Sequence, residues 1–336
     1  MQPTVVAYNE PGRTPLPDVG TLVAVCDGAD LLSTTDQGTF LAAIDKDPVA
    51  VITNSLDSGL LEAVRARLER GGSNTAPGKI VLMVDKVIAE YSRALDGKDH
   101  ELADHFVALR PGAGDGGSNW TITDLRATMQ KIIRRDVFGL GKYLRTGTGT
   151  RTFAVKSGRD RETLTPQVGA YVIEQGLSQH TASTIRKICE EMLMNAIYDA
   201  PRAAGRPVPG DAQSRGNVEL APNDQAVLEI GYDGDVVAIG IRDPFGLFQR
   251  NQFFQYARKV LHRTNSDEIL DKKSEGAGIG LMTLYFNSHG LVCNVAPGKA
   301  TEVIALIDTR MKSRDFEKVA RSIHYFTAPN TGVSAK

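Results

Sequence analysis

Only three of the 336 residues are cysteine, at positions 26, 189 and 293, an odd number set far apart. That pattern fits neither a disulfide framework nor a zinc cluster, and it suits a reducing compartment. An excess of charge of one sign is also missing: 39 Lys and Arg stand against 40 Asp and Glu, a formal net charge of −1. The chain therefore offers no basic field for nucleic acid and no general attraction to an anionic membrane surface. No apolar run approaches the roughly 20 residues that cross a bilayer. The first twenty residues lack a basic start followed by an apolar stretch, so no secretory leader is expected. A soluble, cytoplasmic protein is the expectation. With 41% hydrophobic and 24% charged residues the composition is that of an ordinary globular protein, and the length allows two domains at about 150 residues each.

Residues 1–20 carry four prolines and little periodicity, and read as an irregular arm. Beyond them TLVAVC (21–26), VAVIT (49–53) and KIVLMV (79–84) are β-branched runs of strand length, with HFVALR (105–110) a weaker one. LLEAVRARLER (60–70) and KVIAEYSRAL (86–95) have helical spacing between them. Strands alternating with helices predict an α/β domain over 21–145 built on a parallel sheet. PGAGDGGSN (111–119) reads as a loop, and 122–144 as a helix broken near Gly139 and Gly141.

A second unit is expected over 150–310. RTFAVK (151–156) reads as a strand, followed by a helical region over 166–200 with a break around 176–181, ended by Pro201. A flexible insertion is expected at 205–217. Two apolar strands flank Asp233-Gly234, a strong hairpin signal. LVCNVA (291–296) and TEVIALID (301–308) give another strand pair. Helices followed by antiparallel strands predict an α+β sandwich. Residues 311–336 are expected to form a helix and a disordered tail.

Three segments of this second unit carry chemistry. In EEMLMNAIYD (190–199) Glu191 and Asn195 lie four apart on a helical pattern and share one face. In IRDPFG (241–246) Asp243 ends an apolar strand. EGAGIGL (275–281) spaces Gly276, Gly278 and Gly280 so that backbone amides can approach an anion at the start of a helix. In this order the segments resemble the nucleotide site of the GHKL ATPases, a family that includes gyrase-type topoisomerases, histidine kinases and anti-sigma-factor kinases. The resemblance covers about 151–308. It implies ATP and Mg2+ as cofactors, Glu191 as catalytic base and Asn195 as the magnesium ligand. It also implies that Asp243 reads the adenine amino group and that Gly246, Gly276, Gly278, Gly280, Leu281 and Thr301 help hold the nucleotide.

The chain departs from the family pattern. Phe245 and Leu247 stand where glycines belong after Asp243, and Ala300 replaces a glycine before Thr301. Arg258, Lys259, Lys272 and Lys273 are candidates for the terminal phosphate in the segment between Asp243 and Gly276. The plain structural alternative is a solvated helix face for those cations, and likewise for Glu191 and Asn195. Glu190 competes as a carboxylate but does not share a face with Asn195. His180 lacks the acidic residue and proline that follow a histidine-kinase phosphoacceptor.

The first domain loosely resembles a response-regulator receiver. No adjacent acidic pair follows TLVAVC, where Asp27 and Asp30 are separated, and Asp85 is the only plausible acceptor. Asp27 and Asp85 also suit strand-end turns, so a receiver-like domain without phosphate chemistry is expected. The layout is most similar to the anti-sigma-factor and serine-kinase branch. That implies another regulatory protein as partner (a sigma factor, an antagonist or a signalling protein), with a homodimer as an option. A catalytically inactive adaptor, degenerate in both domains, is the alternative.

Overall fold

The computed structural model describes residues 2–70, 76–85, 103–110, 119–208, 216–261, 279–311 and 313–329. The chain divides into two compact units, one of residues 1–137 with 311–326 and the other of 138–310 with 327–336.

The first unit is an α/β fold. Strands β1 (Thr4–Tyr8), β2 (Asp30–Thr34), β3 (Ala50–Thr53), β4 (Ile80–Val84) and β5 (His105–Ala108) lie in the order β2-β1-β3-β4-β5, all parallel. This is a doubly wound order, with a switch point where β1 has neighbours reached in opposite directions. Strands β1, β3, β4 and β5 are buried almost throughout, as expected where helices cover both faces of a parallel sheet. Val5, Ala7, Ile52, Val81, Met83 and Val107 share one core with Leu22, Val25, Leu125 and Met129. The helices of this unit are α1 (Val19–Val25), α2 (Gln37–Ile44), α3 (Ser58–Arg70) and α4 (Trp120–Arg134). Each of the first three starts on an aspartate. Asp18, Asp36 and Asp57 accept the amides of Thr21, Thr39 and Leu60 at 3.0, 2.7 and 2.8 Å, which satisfies donors left open by the first turn.

Several elements differ from the sequence expectation. The arm expected to be irregular supplies β1, the strand between β2 and β3, because TVVAY is a complete apolar run despite the prolines around it. TLVAVC is helical: the Asp18 cap starts α1, Leu22 and Val25 turn into the core, and Val19 and Val23 face outward. Asp27 therefore follows a helix rather than a strand, and pairs with Arg134 at 2.6 Å. The helix expected after 311 is replaced by a short 3-10 turn (Ser313–Lys318) and strand β11 (Ser322–Thr327), which runs antiparallel to β5. The Ser322 hydroxyl holds β11 there, accepting the Ala108 amide at 3.0 Å and the Trp120 indole at 3.3 Å. The helix expected at 86–95, and most of the segments at 111–119 and 205–217, lie outside the described residues.

The second unit is α+β. Strands β6 (Thr150–Val155), β7 (Ala226–Tyr232), β8 (Val236–Asp243), β9 (Gly290–Ala296) and β10 (Ala300–Asp308) form an antiparallel sheet in the order β9-β10-β8-β7-β6. Helices α5 (Asp160–Glu174) and α6 (Gln179–Met194) pack on each other, with the expected break between them. After α6 the backbone widens into a π turn (Asn195–Asp199) and continues as α7 (Ala200–Ala203), so Pro201 does not end the helical region as expected. The wider register suits a residue without an amide hydrogen. Helices α8 (Arg250–Leu261) and α9 (Ile279–Phe286) follow β8. The unit begins at 138 rather than 150 because the connecting segment is anchored on this sheet. Buried Glu302 accepts the Gly139 amide at 3.0 Å and the Asn294 side chain at 2.7 Å.

Deleting residues 1–9 removes β1 from the middle of the first sheet. Trp120, the single tryptophan and 2% exposed, should then lose its blue-shifted emission and its cooperative denaturation transition. Wild-type emission in the truncated chain contradicts this assignment of β1.

Candidate functional site

Helix α6 is capped by Ser178, whose hydroxyl accepts the Thr181 amide at 3.1 Å. It buries Ala182, Ile185, Ile188, Cys189 and Met192. Glu191 and Asn195 sit beside that apolar face, half-buried. The adjacent Glu190 is already engaged: it accepts Arg161 Nε at 2.9 Å and the Thr165 hydroxyl at 3.3 Å. Among the described residues the Glu191 and Asn195 side chains have no hydrogen bond or ion pair. Burial raises the Glu191 pKa above the usual carboxylate range, helped by the charges of Glu190 and Asp199, while Arg161 opposes the shift. Partial burial beside like charges is what moves a carboxylate toward use as a base near neutral pH.

The start of α9 meets this pair. A Cβ at Gly280 would lie 3.0 Å from Glu191 Oε2, 3.3 Å from Asn195 Oδ1 and 3.4 Å from Asn195 Nδ2. Glycine lets the α9 backbone approach two polar side chains closely enough to leave a cradle that any other residue would fill. Helix α6 packs on both α9 and β8. Leu281, the next residue, is buried, which gives it a core role in seating α9. Gly276, Gly278, Lys272 and Lys273, together with the side chains of Arg258 and Lys259, lie outside the described residues.

Asp243, Gly246 and Thr301 form a second group on the sheet. Asp243 ends β8 and is in register with Thr301 of β10, which is buried. Burial pushes the Asp243 carboxyl up to about 6, against the opposing pull of the Phe245, Gly246 and Thr301 backbone amides. One of those contacts, Phe245 N–H to Asp243 Oδ1, is 2.9 Å and shapes the turn after the strand. Gly246 has φ 64° and its carbonyl accepts the Gly298 amide at 3.1 Å. A Cβ there would run into the Ala296 carbonyl and lie 2.6 Å from the Lys299 amide. Gly246 is thus fixed by its packing on the β9–β10 turn. Phe245 turns into the protein and Leu247 is 41% exposed. No hydrogen bond or ion pair joins Asp243 or Thr301 to Glu191 or Asn195 among the described residues.

Sequence reasoning missed Arg161, a cation paired with Glu190 beside Glu191. It comes from α5, 29 positions before Glu190, and no local spacing announces such a pair.

No protein-family model matches the chain, and no curated protein matches it. Among solved structures the chain is similar to one in the crystal structure of the SiaB-SiaC complex from Pseudomonas aeruginosa. The likeness has 15% identity and a TM-score of 0.33, and covers 47% of this chain and 88% of that one. It is too remote to argue from.

The Asp243 shift sets a pH dependence of stability. The folded state holds this proton up to about 6, against 3.8 for an ordinary aspartate. Its favourable contribution is full below the lower value and is lost as pH rises through the upper one. The difference corresponds to roughly 3 kcal/mol at most. Asp243→Asn keeps an acceptor for the Phe245 amide and removes the charge, so it should gain stability over wild type progressively from about pH 4 to about pH 7. Urea denaturation at both ends of that range checks this, and an equal difference at both contradicts it.

Proposed function

We propose that the second unit binds ATP with magnesium and that the chain is a regulatory signalling protein resembling the anti-sigma-factor and serine-kinase branch of the GHKL ATPases. The observation that carries this reading is the approach of Gly280 to Glu191 and Asn195, side chains with no hydrogen bond or ion pair among the described residues. A half-buried base, an amide oxygen and a helix start with no side chain in the way fit the phosphate and metal end of a nucleotide. In this reading Asn195 Oδ1 would hold the magnesium, and the α9 backbone around Gly280 would take phosphate. Glu191 accepts the proton of the attacking hydroxyl, on a partner serine or on water. A bound magnesium would supply charge neutralisation on the phosphates, and the protein supplies position. Asp243 offers an acceptor to the adenine amino group from the sheet, with Thr301 beside it. The partner is another regulatory protein, with the first unit as docking module.

A second reading, a catalytically silent adaptor, draws on the turn after β8. There the Asp243 carboxylate accepts backbone amides, and bulky Phe245 occupies the protein interior next to it.

Titration with a fluorescent ATP analogue, with and without magnesium, separates the two. The ATP-binding reading expects saturable, magnesium-dependent binding, lost by at least tenfold in Asn195→Ala. Glu191→Gln should bind as wild type and transfer no phosphoryl group. Absence of binding at millimolar analogue supports the adaptor and contradicts the first reading.

A further inference from the structure

Open parallel sheets place ligands in the crevice outside the carboxyl ends of their strands, at the switch point. In the first unit that point lies between β1 and β3. The residues that follow β1, β3 and β4 are Asn9, Asn54 and Asp85. The chain leaving β1 does not turn away from this crevice. It makes a Pro11-Gly12 reverse turn, closed by the Arg13 amide on the Glu10 carbonyl at 3.4 Å. It then crosses the strand ends before α1 begins.

Asn54 is 3% exposed and uses its whole side-chain amide on this crossing segment. Its Oδ1 accepts the Glu10 amide at 2.7 Å. Its Nδ2 donates to Asn9 Oδ1 at 2.8 Å and to the Thr14 carbonyl at 2.9 Å. Asn9 Oδ1 in turn accepts the Leu16 amide at 3.2 Å. The Thr14 hydroxyl donates to Asp85, the residue that ends β4. Leu16, 8% exposed, anchors the far end in the core of the unit. Pro11, Pro15 and Pro17 limit the conformations the segment loses on docking.

We propose that residues 10–16 are a built-in strap that fills the ligand crevice of the first unit, and that Asn54 is its lock. The lock requires an amide. A carboxylate at position 54 has no donors for Asn9 and Thr14, and would set a buried negative charge against two acceptor oxygens. The strap also engages Asp85, the plausible acceptor in the sequence, through the Thr14 hydroxyl. The unit is thereby its own ligand, and opening the strap is the event that would release the Asp85 carboxylate from the Thr14 hydroxyl. This inference concerns the first unit alone and stands whether or not the second unit binds nucleotide.

Hydrogen exchange on the full chain tests it. In wild type the amides of Glu10 and Leu16 should be protected, although both lie in a segment without regular secondary structure. In Asn54→Asp the two should exchange at least tenfold faster, as expected for the loss of two donors, while the β1 amides of Val5 to Ala7 keep their wild-type rates. Thr14→Val, which deletes only the contact to Asp85, should accelerate Leu16 by a smaller factor and leave the rest of the unit unchanged. Unchanged rates at Glu10 and Leu16 in Asn54→Asp overturn the proposal. A uniform rise across β1 and β3 also overturns it, because Asn54 would then support the fold rather than lock the strap.

Discussion

The account rests on one close approach, that of the Gly280 backbone to the side chains of Glu191 and Asn195. It joins the first turn of α9 to the last turn of α6, segments about 85 positions apart in sequence, and it depends on a residue without a Cβ. The packing around it points the same way. Helix α6 is held on the sheet by its apolar stripe, so Glu191 and Asn195 are presented at a fixed depth. The π turn starting at Asn195 widens the helix at the point where an open face is useful. Glu190 is tied to Arg161, while Glu191 has no hydrogen bond or ion pair among the described residues and a raised pKa.

Much of this was legible in the chain, and the failures have physical causes. The shared face of Glu191 and Asn195 follows from a four-residue spacing on a helical pattern. The position of Asp243 at a strand end follows from the apolar run before it, and the hairpin at Asp233-Gly234 from its turn chemistry. β1 was hidden because four apolar residues between Pro3 and Pro11 look too short and too interrupted to be a central strand. TLVAVC has strand propensity at Val23 and Val25, yet the Asp18 cap and packing on α4 make it helical. Tertiary contact overrides local preference there. β11 was not visible for a different reason. The polar contacts that seat it, Ser322 with Ala108 and His324 with Asp124 at 3.2 Å, span 200 positions or more, and one sequence carries no signal of such pairing. The Arg161–Glu190 pair escaped in the same way.

The two units use their strand ends differently. In the second unit Asp243 sits at the end of β8 with its charge disfavoured by burial and its carboxyl accepting the amide of the following turn. In the first, Asn9, Asn54 and Asp85 at the equivalent ends of parallel strands are spent on the chain's own segment. If the second unit binds nucleotide as proposed, a first unit closed on its own segment would be able to respond to a partner without competing for that ligand.

The most direct test is paramagnetic broadening by the Mn2+ complex of a non-hydrolysable ATP analogue, read at the amide of Gly280 and the side-chain amide of Asn195 in selectively labelled protein. The account expects both signals to broaden together at substoichiometric manganese, and to recover when excess magnesium displaces it. If the complex broadens neither signal, or broadens Asn195 while leaving Gly280 sharp, the two segments do not hold one nucleotide and the account is wrong.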